Sequence, residues 1–222
     1  MPSRPEVPAR LAASRIVAIL RRTDSRAAVA TAKALLAGGI DSLEVTCDSP
    51  GVLDMIRDIA RVLGERVLLG AGTVLDESTA RAALDAGARF LVSPHLDAPL
   101  VRRLADEGVP WIPGAFTATE VLAAWRAGAC MVKLFPAGSV GPGYVKDLLG
   151  PFKDIPLLPT GGVTIDNAAS FLEAGAWGLG MGSALVDRQL VAGGRFDELE
   201  ARARRLRAIV SQFTDTALTR GA

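Results

Sequence analysis

One short pattern recurs along the chain: a stretch with helical periodicity ends in an Ala-Gly or Glu-Gly pair, and a short apolar run follows. Five segments carry it most clearly: LLAGGIDSLEV, LDAGARFLV, LADEGVPWI, WRAGACMVKLF and FLEAGAWGLGMG. Glycine just after a helix adopts the left-handed conformation that other residues resist, so each pair predicts a helix end. The runs that follow are rich in Val, Ile, Leu and Phe, which is typical of strands buried in a parallel sheet.

Eight apolar runs of this kind alternate with helical stretches. They lie at residues 15–20, 42–46, 67–69, 89–92, 110–112, 130–135, 155–158 and 177–180. Eight units in 222 residues leave about 28 residues per unit, near the lower limit for a (β/α)8 barrel. An open doubly wound sheet fits the same alternation, but no G-x-G-x-x-G fingerprint follows the first run. We therefore predict an α/β fold, a (β/α)8 TIM barrel.

We expect one domain over residues 1–222, with a short N-terminal helix and a C-terminal helical tail from about residue 194.

With 25 basic and 24 acidic side chains the formal net charge is +1, so no overall field attracts nucleic acid or an anionic membrane. Cys47 and Cys130 are too few for a disulfide framework or a four-thiolate metal site. Neither a signal peptide nor a long apolar span is recognisable, so we expect a cytoplasmic protein.

Two ionisable residues stand inside predicted strands. Active sites of such barrels form at the carboxyl ends of the strands, and strand alternation shows which side chains point inward. Glu44 in the second run and Lys133 in the sixth are both predicted to point inward, and these strands lie opposite each other in a ring of eight. Burial disfavours an ammonium ion, and a neutral amine can attack a ketone, so Lys133 is a Schiff-base candidate. A purely structural ion pair between the two residues is the alternative.

Two glycine clusters follow the last two predicted strands, P-T-G-G at 159–162 and G-M-G-S at 180–183. In this fold the loops after strands seven and eight usually bind phosphate. Glycine lets backbone N–H groups approach phosphate oxygens, and Ser183 can donate one more hydrogen bond. Either cluster alone also fits a tight turn, but together they predict a phosphate site.

His95 is the sole histidine, which excludes a zinc site with several imidazole ligands and favours a position on a loop or rim.

Taken together, the motifs resemble those of one family. The segments LEVT around Glu44, GAGTVL at 70–75, VSP at 92–94, VKLFPA at 132–137, GP at 141–142, PTGGV at 159–163 and GMGS at 180–183 are similar to the 2-keto-3-deoxy-6-phosphogluconate and 4-hydroxy-2-oxoglutarate aldolases. The resemblance implies a class I aldolase, commonly trimeric, that uses neither a cofactor nor a metal. Its small-molecule partners would be pyruvate and a phosphorylated keto acid.

The resemblance also implies a role for each matching position. Lys133 would form the Schiff base with the keto group, and Glu44 would be the general acid and base. The residues implied to bind the pyruvyl end are Thr73, Pro94 and Phe135. Those implied to bind the phosphate are Gly161, Gly162 and Ser183.

One position departs from the family pattern. Some members bind the substrate carboxylate through an arginine two residues after the threonine of E-V-T, where this chain has Asp48, an acid that would repel a carboxylate. Other members end their first strand in A-I-L-R, as residues 18–21 do here. We therefore expect Arg21 to bind the carboxylate, with a solvated Arg21–Arg22 pair as the alternative.

The substrate stays open between two branches of the family. The D-S-P sequence at 48–50 resembles the branch that acts on 2-keto-3-deoxy-6-phosphogalactonate, whereas P-T-G-G at 159–162 resembles the gluconate branch. Two functions outside the family also remain. One is a sugar-phosphate isomerase or epimerase acting through Glu44 alone, and the other is a phosphate-binding module whose Lys133–Glu44 pair is only structural.

Overall fold

The computed structural model describes residues 4–217, which form nine strands and ten α-helices. The strands are β1 (Ile16–Leu20), β2 (Ser42–Thr46), β3 (Leu68–Gly72), β4 (Phe90–Val92), β5 (Trp111–Ile112), β6 (Gly114–Ala115), β7 (Val132–Leu134), β8 (Leu157–Pro159) and β9 (Leu179–Met181). The helices are α1 (Ala9–Ser14), α2 (Ser25–Ala37), α3 (Val52–Leu63), α4 (Glu77–Ala86), α5 (Ala98–Asp106), α6 (Ala118–Arg126), α7 (Gly141–Leu149), α8 (Ala168–Glu173), α9 (Arg188–Ala192) and α10 (Phe196–Ala217).

The strands form a closed ring in which all strand pairs are parallel. Six strands pair in the order β5-β4-β3-β2-β1-β9, and the other three in the order β6-β7-β8. The two sheets meet at Pro113, between β5 and β6, and at a bridge between Thr160 and Gly180 that links the end of β8 to β9. The predicted (β/α)8 barrel is therefore confirmed.

The fifth predicted strand, 110–112, is wrong in its extent. The structure has two short strands there, β5 paired with β4 and β6 paired with β7. Pro113 separates them, because proline has no N–H to donate to a sheet ladder. The split lets one segment of chain serve both sheets.

The third predicted strand, 67–69, ends too early, since β3 continues to Gly72. Gly70 and Gly72 read as loop residues because glycine has a low strand propensity. In the register of β2 and β3, Gly70 lies opposite Glu44 and Gly72 opposite Thr46. A side chain at position 70 would collide with the ring of Phe90, so packing inside the barrel requires glycine there.

Apolar residues fill two separate layers. Between strands and helices lies a large cluster that includes Leu43 and Val45 of β2. A smaller cluster fills the barrel below the site and includes Met131, which lies two residues before Lys133 and so shares its side of the strand. Leu11 of α1 belongs to this inner cluster and is fully buried. The strands therefore alternate as predicted, and the inner cluster leaves only the upper end of the barrel for polar chemistry.

The last helix, α10, packs against α2, α8 and α1. Its arginines are interleaved with acids, and Arg204 forms an ion pair with Glu200 on the same helix. Within residues 4–217, no helix has both the length and the apolar character that a membrane span requires.

Candidate active site

A cavity of about 470 Å³ opens where the carboxyl ends of the strands meet. The structure brings all nine sequence-predicted site residues onto its wall: Arg21, Glu44, Thr73, Pro94, Lys133, Phe135, Gly161, Gly162 and Ser183. They come from the ends of several different strands, as expected when a closed barrel gathers strand ends at one rim.

Glu44 and Lys133 form the buried part of this cavity. The side chains are only 1% and 7% exposed, respectively. Burial raises the pKa of Glu44, and the positive charges of Lys133 and Arg21 oppose that rise only in part. The Lys133 ammonium nitrogen lies 4.9 Å from the centroid of the Phe135 ring. A carboxyl group whose pKa is raised holds a proton more readily than a free carboxyl group, which suits general acid–base chemistry.

Asp48, the residue that departs from the family pattern, is held by two arginines. One of its oxygens lies 3.4 Å from Nε of Arg21 and 3.3 Å from Nε of Arg22. Burial alone would raise the pKa of Asp48, but the Thr46 hydroxyl and the two guanidinium groups lower it below its usual value. Both arginines line the cavity. Two cations against one anion leave this rim positively charged, so the expected repulsion of a carboxylate by Asp48 is offset.

Two of the three described non-glycine residues with a positive φ lie at the same rim. Thr73 follows β3 directly and has a φ of 55°, a left-handed conformation that a β-branched residue rarely adopts. Arg22 has a φ of 52°, and its backbone N–H donates to the Ser49 hydroxyl at 2.9 Å. Both residues line the cavity. Strained conformations of this kind persist only where the surrounding structure imposes them, and they cluster at functional sites.

The predicted phosphate loop also has a backbone that requires glycine. Gly161 and Gly162 have φ values of 78° and 79°. A Cβ at position 161 would come within 3.0 Å of the Phe135 ring, and one at position 162 within 2.6 Å of the Cα of Gly138. The loop therefore presents bare backbone to the cavity, which allows close approach of an anion.

The sequence profile of the KDPG and KHG aldolases matches residues 7–202. The chain belongs to this aldolase family. Members of the family are lyases that act on carbon–carbon bonds, so the resemblance seen in the motifs is confirmed.

Two relatives represent two branches of the KDPG and KHG aldolases. The 2-dehydro-3-deoxy-phosphogluconate aldolase of Pseudomonas aeruginosa is 43% identical over 167 residues, covering 71% of this chain and 74% of the relative. The 2-dehydro-3-deoxy-6-phosphogalactonate aldolase of Escherichia coli is 36% identical over 171 residues, covering 77% and 83%. A solved KDPG aldolase from Legionella pneumophila, with pyruvate captured as a covalent carbinolamine, superposes with a TM-score of 0.80 at 27% identity, covering 89% of this chain and 96% of that one.

Several residues that line the cavity of this aldolase were not predicted as site residues. The ones with polar side chains are Arg22, Thr46, Thr160, Thr164 and Arg188. Strand alternation predicts that Thr46 points inward, but nothing in the motifs assigned it a place in the site. His95 is exposed and does not line the cavity, in agreement with its predicted position on a loop or rim. Among residues 4–213, whose side chains the structure describes, no group of three or more His, Cys, Asp or Glu residues is arranged to hold a metal ion.

Proposed function

We propose that this aldolase reversibly cleaves 2-keto-3-deoxy-6-phosphogluconate to pyruvate and glyceraldehyde 3-phosphate through a Schiff base on Lys133. The observation that supports it most is the burial of Lys133 and Glu44 in one cavity. Both side chains are almost fully buried, they interact electrostatically, and they line the same cavity as the glycine loops. The same site would also accept 4-hydroxy-2-oxoglutarate and release glyoxylate.

The first half of the reaction forms the Schiff base. Lys133 gives its ammonium proton to Glu44, and the resulting amine adds to the C2 ketone and gives a carbinolamine. Glu44 then protonates the carbinolamine hydroxyl, which leaves as water while the nitrogen forms an iminium ion. Glu44 suits this role because burial raises its pKa and so favours its protonated form over that of a free glutamate.

The second half breaks the carbon–carbon bond. Glu44 removes the proton from the C4 hydroxyl, the C3–C4 bond breaks, and its electron pair moves into the iminium to give an enamine. Glyceraldehyde 3-phosphate leaves, the enamine takes a proton at C3, and addition of water frees pyruvate and the amine. The iminium is the electron sink that makes the carbanion at C3 accessible.

The two ends of the substrate would bind to different kinds of group. The carboxylate would bind at the positive rim formed by Arg21 and Arg22. The residues proposed to surround the pyruvyl group are Thr73, Pro94 and Phe135. Those proposed to hold the phosphate are Gly161, Gly162 and Ser183, through backbone N–H groups and one hydroxyl.

The 6-phosphogalactonate epimer is the second candidate substrate. P-T-G-G at 159–162 favours the gluconate compound, whereas D-S-P at 48–50 favours the galactonate one. Thr160 of the P-T-G-G motif lines the cavity, whereas Asp48 of the D-S-P motif does not. The motif that favours the gluconate compound is therefore the one in contact with the cavity. Turnover of both compounds, measured side by side through pyruvate release, decides between them.

The Schiff base is tested by incubation with pyruvate and borohydride, followed by peptide mapping. The expected result is a reduced pyruvate adduct on Lys133, lost in Lys133→Arg and retained in the control Lys146→Arg, which changes an exposed lysine of α7. No adduct on Lys133 refutes the mechanism. An isomerase acting through Glu44 alone would release no pyruvate, and a binding module would gain thermal stability from ligand without turnover.

We also propose that the protein is a cytoplasmic homotrimer. The family resemblance supports the trimer, and two cysteines without disulfide bonds, Cys47 and Cys130, suit a reducing compartment. Light scattering coupled to size-exclusion chromatography measures the oligomeric state directly, and a monomer would contradict the proposal.

A further inference from the structure

Arg188 is a cation on the cavity wall that the proposed mechanism does not use. The cationic side chains on this wall are Arg21, Arg22, Lys133 and Arg188. The first two are held by Asp48, and Lys133 interacts with Glu44. Arg188 is exposed, and the described part of the chain gives it no carboxylate at ion-pair distance.

The acid next to Arg188 in sequence is already occupied. Asp187 caps α9 by accepting hydrogen bonds from the backbone N–H groups of Gln189 and Leu190. It also forms an ion pair with Arg202 at 3.3 Å. Among the described residues no carboxylate therefore neutralises Arg188, and its charge is available to an anion that enters the cavity.

The position of Arg188 relates it to the predicted phosphate loop. It follows Ser183 by five residues, and a tight turn joins them, in which the N–H groups of Leu185 and Val186 both donate to the carbonyl of Gly182. Arg188 also lines a neighbouring open groove, so its side chain lies on the rim between groove and cavity. It therefore shares one cavity with Gly161, Gly162 and Ser183.

We propose that Arg188 binds the phosphate of the substrate and thereby sets the preference for phosphorylated over unphosphorylated keto acids. This inference rests on the proposed function. The other groups assigned to the phosphate are backbone N–H groups and the Ser183 hydroxyl, which carry no net charge. A phosphate dianion gains most from a guanidinium group, which can donate two parallel hydrogen bonds to it.

The test compares 2-keto-3-deoxy-6-phosphogluconate with the same keto acid lacking its phosphate. In Arg188→Gln we expect kcat/KM for the phosphorylated compound to fall about tenfold, mainly through KM, while the unphosphorylated compound is turned over as by the wild type. Arg188→Lys should recover part of the loss. The control is Arg26→Gln, which removes an equal charge from the neighbouring groove, where Arg26 pairs with Asp24. It should leave both substrates unaffected.

Two results would overturn the role of Arg188. One is an equal fall in kcat/KM for both substrates in Arg188→Gln. The other is a selective fall for the phosphorylated substrate in Arg26→Gln as well, which would mean that long-range electrostatic attraction acts rather than a contact. If the wild type releases no pyruvate from either compound, the proposed function fails on its own terms. Binding of glycerol 3-phosphate then decides on Arg188: we expect about tenfold weaker binding in Arg188→Gln, and unchanged binding overturns the inference.

Discussion

The carboxylate of Glu44 lies directly against the backbone of Gly72. A Cβ at position 72 would stand 1.7 Å from Oε1 of Glu44, far inside van der Waals contact. Glu44 belongs to β2 and Gly72 ends the adjacent strand β3. The carboxylate therefore reaches its place in the cavity only because the neighbouring strand has no side chain at that position.

Gly72→Ala should displace the Glu44 carboxylate and reduce kcat at least about a hundredfold, because misplacement of a catalytic group by about 1 Å is enough for such a loss. Steady-state kinetics, with circular dichroism to check the fold, measures this. The matched control is Gly143→Ala in α7, where an added Cβ meets no atom within 4 Å. Wild-type turnover in Gly72→Ala would show that the position of Glu44 is unimportant.

Glu44→Gln should lose activity and change how stability depends on pH. Above the ordinary glutamate value of 4.5, the unfolded chain ionises Glu44 while the folded chain keeps the proton, because burial raises its pKa. The wild-type free energy of unfolding therefore loses a contribution as pH rises from 4.5 to the raised folded value. Glutamine cannot ionise, so the variant should gain stability relative to the wild type between pH 4 and pH 8. Denaturant titrations at both pH values measure the free energy of unfolding of the two proteins. A loss of stability by the variant relative to the wild type as pH rises would contradict a raised pKa at Glu44.

Arg21→Gln should raise KM for phosphorylated and unphosphorylated substrates alike, since both carry the carboxylate that this residue is proposed to bind. We expect an increase of about tenfold, the usual loss for one hydrogen bond to a charged group. Arg22→Gln is the informative comparison, because Arg22 contacts the same Asp48 oxygen at nearly the same distance. A larger increase in KM in Arg22→Gln than in Arg21→Gln would show that Arg22 binds the substrate carboxylate instead.

Both thiols should resist alkylation in the folded protein. Burial, with the negative charge of Glu44 contributing next, raises the pKa of Cys47 to about 11, and burial raises that of Cys130 to about 12. The thiolate is the reactive form, so at pH 8 Cys47 should react with iodoacetamide about a hundredfold more slowly than a thiol at the ordinary value of 9.0. Mass spectrometry follows the labelling, and unfolding in denaturant should make both react. Rapid labelling of native Cys47 would contradict its burial.

Local signals were sufficient to predict the barrel. Helix-ending glycines and short apolar runs depend on a few neighbouring residues, and their repetition leaves little choice of architecture. Alternation along strands then predicted that Glu44 and Lys133 share the interior, and both line the cavity. The predictions were weaker at strand ends, where Pro113 splits one strand and Gly72 extends another. The reasons there lie in the neighbouring strands.

The amino-acid sequence by itself determined the order of strands and helices, the residues that face the interior, and the motifs that the family resemblance rests on. Only the tertiary structure decided how these groups affect one another. Arg21, Arg22 and Asp48 form one charged cluster, Gly72 makes room for Glu44, and Arg188 has no acid partner among the residues that the structure describes. These properties depend on distances between residues far apart in the chain, because Coulomb energy, desolvation and steric overlap follow separation in space.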